Sequence, residues 1–395
     1  MIEISKLASS VKPSATLAAG AKAKQMKAEG IEVFDFSLGE PDFTTPQHIC
    51  DAAYEAMKGG ETHYTPAPGT AQLRKVIANW YEKTYGLQVA PDQVILSNGA
   101  KHSLHNALTV LCNPGDEVII PTPYWVSYST LVEITGAKPV LVSTTQESHF
   151  KMSPDQFRAA ITPKTRVLMI NSPCNPTGTV YTRVELEKLA DIAIENDLVV
   201  ISDEIYEQLV YEDNKATCFA TLRPELVERT LTISGVSKSY AMTGWRMGWT
   251  LGPQHVIKSM GGIQSQQTGC PSSVTQAAVI TALTGDQQCV QEMRREFAAR
   301  REIVLNRLKE LGFPCPAPGG AFYAFFDVSK HFGRTLGGRA VTDSMSFCQA
   351  LLESVHVNLV PGAAFGTEGS VRMSFAASRD QIQGGLDRLE KFVAG

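Results

Sequence analysis

Residues 234–249 combine a lysine suited to covalent chemistry with an arginine suited to binding phosphate. Lys238 follows a short β-branched stretch at 230–233, and Arg246 lies further along the same run, with small residues between them. A lysine at the end of a buried strand is poorly solvated, which favours its neutral amine and lets that amine attack a carbonyl. The planar fork of an arginine can bind phosphate through two hydrogen bonds. The pair therefore predicts a lysine that forms an imine with a phosphate-bearing aldehyde, pyridoxal phosphate.

A single lysine is weak support for that chemistry, because most lysines lie on the surface. Other polar residues, however, also follow predicted strands, and open α/β sheets bind ligands beyond the carboxyl ends of their strands. The residues that meet this condition are Asn98, Gly99, Ala100, Lys101, Tyr124, Trp125, Asn175, Asp203, Tyr206 and Lys238. Together they predict one cofactor site at this edge of the sheet.

The elements that must position these residues alternate between strand and helix through the middle of the chain. The β-rich runs are residues 93–96, 117–120, 139–143, 166–170, 198–201, 230–233 and 245–251. Helical patterns occur at 101–111, 154–161 and 183–195, and Thr182 with Glu185 forms a capping-box pattern before the last. Apolar strands that alternate with helices predict a mainly parallel sheet covered on both faces.

The pattern changes after about residue 285. Helices are predicted at 288–311, 344–354 and 379–394, and SVRMSFA predicts a strand between the last two. We therefore predict a large domain over 48–285, a smaller α+β domain over 14–47 and 286–395, and an N-terminal arm over 1–13 that packs on another surface.

Composition limits the classes of function. The 395 residues are 43% hydrophobic and 19% charged, with a net charge of −4, so nothing predicts a nucleic-acid or membrane-surface partner. No apolar run reaches the roughly 18–20 residues that span a bilayer. The eight cysteines are scattered, which predicts a cytoplasmic protein with reduced thiols. No metal is expected, since the chain has neither H-E-x-x-H nor a Cys/His cluster.

The strand-end residues each have a chemical and a structural interpretation. Gly99 and Ala100 precede a helix whose free N–H groups could bind phosphate, or they form a simple turn. Asp203 could keep a pyridine nitrogen protonated and Tyr206 could hydrogen-bond a phenolic oxygen, or they form a salt bridge and a packed side chain.

Three more candidates remain open from the residues alone. Asn175 begins Asn-Pro-Thr-Gly, which is also a good β-turn sequence. Trp125 could stack on a pyridine ring or belong to the core. Arg372 lies opposite the apolar face of its strand, where it either meets solvent or binds a substrate carboxylate.

These features occur together in one known family. SKSYAMTGWRMG around Lys238, NSPCNPTGTVY at 171–181, SDEIYE at 202–207, SLGEPDFTTP at 37–46 and NGAK at 98–101, with the Arg372 strand, resemble a fold-type I pyridoxal-phosphate aminotransferase. The resemblance runs from about Lys12 to Arg372 and is closer to the class I bacterial subgroup of aspartate and prephenate aminotransferases. It implies an α/β fold with a mainly parallel seven-stranded sheet, a smaller α+β domain, and a homodimer with shared active sites.

The resemblance also implies a role for each candidate. Lys238, Asp203 and Tyr206 would be catalytic, and Tyr64 would reach the phosphate across a dimer interface. The implied cofactor-binding residues are Tyr64, Gly99, Ala100, Trp125, Asn175, Asp203, Tyr206, Ser237, Lys238 and Arg246. The implied substrate-binding residues are Lys12, Gly39, Lys101, Trp125, Asn175 and Arg372. The implied reaction moves the amino group of L-aspartate to 2-oxoglutarate in a ping-pong mechanism, with prephenate or arogenate as further substrates.

One position departs from the pattern of related enzymes. Relatives in another aspartate aminotransferase subgroup have a phosphate-binding serine where this chain has Gly235, and Ser234 or Ser237 could replace it. The alternatives to an aspartate enzyme are an aromatic or other amino acid aminotransferase and a pyridoxal-phosphate C–S lyase of the same fold. A nicotinamide oxidoreductase is disfavoured because the chain has no G-x-G-x-x-G.

Overall fold

A central sheet with helices packed against it organises the protein in a computed structural model that describes residues 2–11, 13 and 15–394. The strands are β1 (Phe34–Asp35), β2 (Val94–Ser97), β3 (Glu117–Thr122), β4 (Lys138–Ser143), β5 (Thr165–Asn171), β6 (Val199–Asp203), β7 (Thr230–Gly235), β8 (Gly248–Leu251), β9 (Tyr323–Asp327), β10 (Thr335–Leu336), β11 (Arg339–Ala340), β12 (Val357–Asn358), β13 (Val360–Pro361) and β14 (Ser370–Ser374). The α-helices are α1 (Lys6–Ser10), α2 (Ala15–Ala28), α3 (Gln47–Lys58), α4 (Ala71–Tyr85), α5 (Ala100–Leu111), α6 (Ser127–Ile134), α7 (Pro154–Ala160), α8 (Arg183–Glu195), α9 (Gln254–Gln267), α10 (Ser273–Thr284), α11 (Gln288–Glu310), α12 (Ser344–Val355) and α13 (Arg379–Ala394).

The central sheet has seven strands in the order β2-β8-β7-β6-β5-β3-β4. Neighbouring strands are parallel except at β8, which is antiparallel to both β2 and β7. The predicted mainly parallel seven-stranded sheet is therefore confirmed. The prediction that its last strand begins at residue 245 was wrong. Thr243–Trp245 form a 3-10 turn and Arg246 has φ 56°, a left-handed conformation that an extended strand excludes.

Both faces of the sheet are buried, as the apolar strands predicted. In β5, Val167 and Met169 belong to a core that contains Leu104 of α5, whereas Leu168 belongs to a core that contains Leu189 of α8. Successive residues of a strand point to opposite faces, so every position of such a strand has to be apolar. Helix α8 begins at the predicted residue, because the Thr182 side chain accepts from the Glu185 N–H in a capping box.

A second group of strands and helices is built mainly from the last part of the chain. Strands β13, β14 and β9 form an antiparallel sheet in that order, while β1 pairs with β12 in parallel. Phe34 and Phe36 of the N-terminal segment pack in the same core as Phe297 and Met373. The bounds of the two proposed domains stay a prediction.

The N-terminal segment begins with the short helix α1. Residues 2–11 are all exposed, and the packing of this arm on another surface stays a prediction. Among the described residues, none of the helices combines the length and the apolarity that crossing a bilayer requires.

Candidate active site

A cavity of about 290 Å³ opens beyond the carboxyl ends of the parallel strands. Asn171 ends β5 and Asp203 ends β6, while Lys238 follows the end of β7. The lining residues are Gly39, Ala100, Lys101, Leu104, Trp125, Ser127, Tyr128, Asn171, Asn175, Asp203, Ile205, Tyr206, Ser237, Lys238, Thr243, Arg246 and Arg372. Strand direction thus brings together residues that are far apart in the sequence.

Lys238 is half-buried, and its Nζ donates to the carbonyl oxygen of Gly39 at 2.5 Å. Burial lowers the pKa of this amine to about 8, and the positive charges of Arg372 and Arg246 act in the same direction. The carboxylate of Glu40 opposes that shift. The amine is therefore much nearer to its neutral, nucleophilic form at neutral pH than an exposed lysine is.

The start of α5 and the side chain of Arg246 form a cradle for an anion. Gly99 has φ 85°, and a Cβ at this position would lie 2.5 Å from Nη2 of Arg246. The guanidinium is held by a 2.8 Å hydrogen bond from its Nη1 to the carbonyl oxygen of Thr243. Because the first N–H groups of a helix have no partner within it, they and the arginine offer donors to one anion.

The structure separates the two serines that could replace the missing serine at position 235. Ser234 is fully buried in β7 and donates to Oε1 of Glu207 at 2.8 Å, whereas Ser237 lines the cavity. A Cβ at Gly235 would lie only 2.7 Å from the carbonyl oxygen of Met247, so this position has no room for serine.

Asp203 is buried, and its two oxygens accept from the hydroxyl of Tyr128 at 2.6 Å and from the N–H of Ile205 at 3.2 Å. Burial raises the pKa of this carboxyl to about 6, although the Tyr128 hydrogen bond opposes the shift. The sequence analysis missed Tyr128, because nothing in PYWVSY distinguishes this tyrosine from a core residue.

Arg372 is 1% exposed, so the solvent-facing alternative was wrong. The reason is that β14 lies between β9 and β13 and is buried along its whole length. The Arg372 Nη1 donates to Oδ1 of Asn175 at 2.9 Å, and the Arg372 Nη2 donates to the carbonyl oxygen of Ser37 at 2.6 Å. The buried Nε has no hydrogen-bond partner within the described residues.

Asn175 is itself positioned by a residue that the sequence analysis missed. Its N–H donates to Oδ1 of Asn171 at 2.8 Å, and the Asn171 amide donates to the carbonyl oxygen of Asp203 at 2.8 Å. Asn171 is a polar residue that ends a buried strand, as Asp203 does, and this shared pattern could have revealed it.

Lys101 and Trp125 lie on the same side of the cavity. The Lys101 Nζ lies 4.9 Å from the centre of the Trp125 ring, which also meets Tyr128 edge-on at 5.5 Å. Burial lowers the pKa of the Lys101 amine, and the nearby Arg246 lowers it further. Trp125 is half-buried at the cavity and is not a fully enclosed core residue.

Apart from Gly99, four candidates are not among the described residues that line the cavity. Tyr64 is 98% exposed and is absent from the cavity lining. Lys12 lies outside the described residues. Asn98 and Tyr124, which the sequence placed at the same edge of the sheet, are also absent from the cavity lining. The other predicted residues line the cavity or, in the case of Gly99, lie directly beside it.

Comparison with known proteins agrees with this geometry. The sequence profile of the family described as "Aminotransferase class I and II" matches residues 31–389. The chain belongs to this family. An aspartate aminotransferase of Geobacillus stearothermophilus is 44% identical over 393 residues, covering 99% of each chain. An aspartate/prephenate aminotransferase of Cereibacter sphaeroides is 44% identical over 388 residues, covering 98% of this chain and 97% of the other.

A solved structure of another member of the class I and II aminotransferase family has the same fold. The aspartate aminotransferase of Rhizobium meliloti superposes with a TM-score of 0.96 at 40% identity, covering 100% of this chain and 99% of the other. The fold-type I architecture that the sequence motifs implied is thereby confirmed.

Proposed function

We propose that this protein is a pyridoxal-phosphate aminotransferase that moves the amino group of L-aspartate to 2-oxoglutarate and yields oxaloacetate and L-glutamate. The observation that carries the proposal is the convergence of Lys238, Asp203 and Arg372 on one cavity. These three supply an amine of lowered pKa, a buried carboxylate and a buried guanidinium. Such a set matches an aldehyde cofactor with a basic ring nitrogen and a carboxylate substrate.

The residues present fit pyridoxal phosphate. The Gly99 position leaves room that a Cβ would fill, and Arg246 lies beside it to balance a phosphate charge. Asp203 ends β6, whereas the anion cradle is formed by the start of helix α5 and the side chain of Arg246. The residues that would hold the cofactor are Gly99, Ala100, Trp125, Asn175, Asp203, Tyr206, Ser237, Lys238 and Arg246.

The chain's own residues divide the work of the reaction. When bound, the cofactor supplies an electron sink for the breaking Cα–H bond of the substrate. Asp203 holds a proton at the ring nitrogen, and Arg372 with Asn175 binds the substrate α-carboxylate. Lys238 would take the Cα proton of the substrate and pass it to the cofactor carbon, a role that suits an amine whose pKa is lowered to about 8.

A dicarboxylate substrate is supported by a second cation at the cavity. Lys101 is on helix α5 and its Nζ lies over the Trp125 ring, whereas Arg372 is on β14. The two cations would bind the two carboxylates of aspartate or 2-oxoglutarate. The names of the relatives in Geobacillus stearothermophilus and Cereibacter sphaeroides support aspartate, and the second also supports prephenate as a further acceptor.

A matrix of substrates tests this proposal. Aspartate, glutamate and phenylalanine are each combined with 2-oxoglutarate, oxaloacetate and prephenate, and product formation is followed at steady state. We expect the aspartate and 2-oxoglutarate pair to give the highest kcat/KM, with slower amination of prephenate. Release of pyruvate and ammonia without added keto acid would instead identify a lyase.

We also propose that the protein works as a homodimer. Tyr64 is 98% exposed, and α3 exposes Tyr54 and Met57 at 58% and 49%. A second copy that covers these apolar side chains would place Tyr64 at the phosphate site of that copy. Mixing Lys238→Ala and Tyr64→Ala chains should recover activity, since a mixed dimer contains one intact site. No recovery after subunit exchange, or a monomeric mass by light scattering, would contradict the shared site.

A further inference from the structure

Tyr206 has a hydroxyl neighbour that does not line the cavity. The hydroxyl oxygen of Tyr323, in β9, lies 2.8 Å from that of Tyr206, and their rings meet edge-on with centroids 5.8 Å apart. Both side chains are buried, with exposures of 3% for Tyr206 and 0% for Tyr323. The bond joins the loop after β6 to the antiparallel sheet at the other side of the cavity.

Tyr323 is fixed from several directions. The guanidinium of Arg372 lies 4.5 Å above the centre of its ring, and Ser374 of β14 pairs with it in the sheet. A Cβ at Gly39 would lie 2.9 Å from the Tyr323 hydroxyl, so Gly39, whose carbonyl oxygen accepts from Lys238, lies close beside this hydroxyl. The hydroxyl therefore has little freedom to turn away from Tyr206.

A tyrosine hydroxyl has one proton to donate and lone pairs that accept. If Tyr206 donates its proton to the phenolic oxygen of the cofactor, its own oxygen can only accept from Tyr323. A hydroxyl that accepts a hydrogen bond becomes a stronger donor, by about 10–30% per bond. The direction of the bond between the two tyrosines would then be set by the cofactor.

We propose that Tyr323 is a positioning residue that donates to Tyr206 and thereby directs the Tyr206 proton to the phenolic oxygen of the cofactor. This inference rests on the proposed function, because it requires pyridoxal phosphate on Lys238. The charged groups that face the two tyrosines are Arg372 and Asp203, and Lys238 lies 5.9 Å from the Tyr206 ring. The charge of Glu40 raises the pKa of the Lys238 amine, and the charge of Arg246 lowers it.

The pH dependence of the bound cofactor's absorbance tests this role. Tyr323→Phe keeps the ring on Arg372 and removes only the hydroxyl, and thermal unfolding checks that the variant is folded. With a weaker Tyr206 hydrogen bond, the phenolic oxygen carries more negative charge and holds the neighbouring proton more tightly. We expect the midpoint of the titration to rise by roughly 0.1–0.7 of a pH unit.

Two further variants separate positioning from general packing. In a Tyr206→Phe background, Tyr323→Phe should cause no additional shift, because its effect passes through the Tyr206 hydroxyl. Tyr211→Phe is the matched control, since the buried Tyr211 hydroxyl donates to the carbonyl oxygen of Ala321 and not to Tyr206. This variant should keep the wild-type midpoint.

The outcomes distinguish the inference from the function on which it rests. An unchanged midpoint in Tyr323→Phe, or an equal shift with and without the Tyr206 hydroxyl, would overturn the positioning role alone. If the wild-type protein shows no absorbance band of a bound cofactor, the proposed function is overturned, and the positioning role with it.

Discussion

Burial shifts the pKa values of two neighbouring sets of ionisable groups, but the two sets differ in the groups that contact them. The cavity set consists of Lys238, Asp203 and Arg372, and the acidic pair consists of Glu204 and Glu207. Burial raises the pKa of Asp203 to about 6 and that of Glu207 to about 8. Glu204, whose carboxyl is buried nearby, raises the pKa of Glu207 further.

The partners of these groups make the difference. Groups of opposite charge meet in the cavity set, around a volume that is open to a ligand. In the acidic pair, Glu207 accepts from the hydroxyls of Ser234 and Tyr85 at 2.8 and 3.0 Å, and within the described residues no cation contacts it. Glu207 also lines a cavity. A shifted pKa beside an open volume therefore does not by itself indicate a functional site here, and the opposite charges in contact with the group make the difference.

The largest expected effect is that of Lys238→Ala. Removing the amine should lower turnover by more than ~10⁴-fold, because both the covalent attachment and the proton transfer are lost. The absorbance band of the attached cofactor should disappear as well. Lys258→Ala is the matched control, since Lys258 is an exposed lysine on α9 and should retain full activity. Ordinary transamination by Lys238→Ala would contradict the assignment.

Replacing one carboxyl by an amide in each set separates the roles of the two sets. Asp203→Asn should lower kcat by roughly 10²–10³-fold while cofactor still binds, because the amide cannot stabilise a protonated ring nitrogen. Glu207→Gln also replaces a buried carboxyl by an amide and should leave kcat within about twofold, since Glu207 does not line the cavity around Lys238 and the largest electrostatic effects come from groups aimed at the reacting atoms. Equal losses of kcat in the two variants would remove the distinction between the cavity set and the acidic pair.

The acidic pair should instead affect stability as a function of pH. In the folded protein Glu207 keeps its proton up to about pH 8, whereas in the unfolded chain it loses the proton near pH 4.5. The free energy of unfolding should therefore fall as pH rises through this window, by about 1.4 kcal/mol per pH unit for one such group. Urea denaturation should show a smaller pH dependence in Glu207→Gln than in the wild type. An identical dependence in both would show that Glu207 does not bind the proton.

The smallest expected effect is that of replacing Lys101, which lines the same cavity as the cavity set. Lys101→Ala should lower kcat/KM for aspartate by about fivefold, because this lysine is exposed and its charge is partly screened. The loss for phenylalanine should be smaller, and Lys101→Arg should retain most of the preference for dicarboxylates. Equal losses for both substrates would exclude Lys101 from binding the distal carboxylate.

The sequence was sufficient where a single physical rule decides the outcome. Continuous apolar runs identified the central strands, since both faces of a parallel sheet are covered. The same rule placed Asp203 and Lys238 at one edge, because parallel strands end on the same side. Helix α8 was predicted at its observed bounds, because Thr182 and Glu185 form a capping box that the sequence displays.

These rules could not predict contacts between segments that are far apart in the sequence. Tyr128 and Tyr323 look like core aromatics until the fold brings them to Asp203 and Tyr206. The choice between Ser234 and Ser237 depends on β7 continuing to Gly235, which directs Ser234 to Glu207 and leaves Ser237 beyond the strand. Only the pairing of β14 with two neighbours shows that Arg372 is buried.

The one antiparallel member of the central sheet has a practical consequence for protein design. Lys238 and Arg246 both lie in the connection between β7 and β8, and the pairing of these strands clamps that connection at both ends. A designer who transplants this chemistry into another parallel scaffold would have to move β8 together with β7. Loosening the hairpin at either end would displace both Lys238, the proposed covalent anchor, and Arg246, the proposed phosphate anchor.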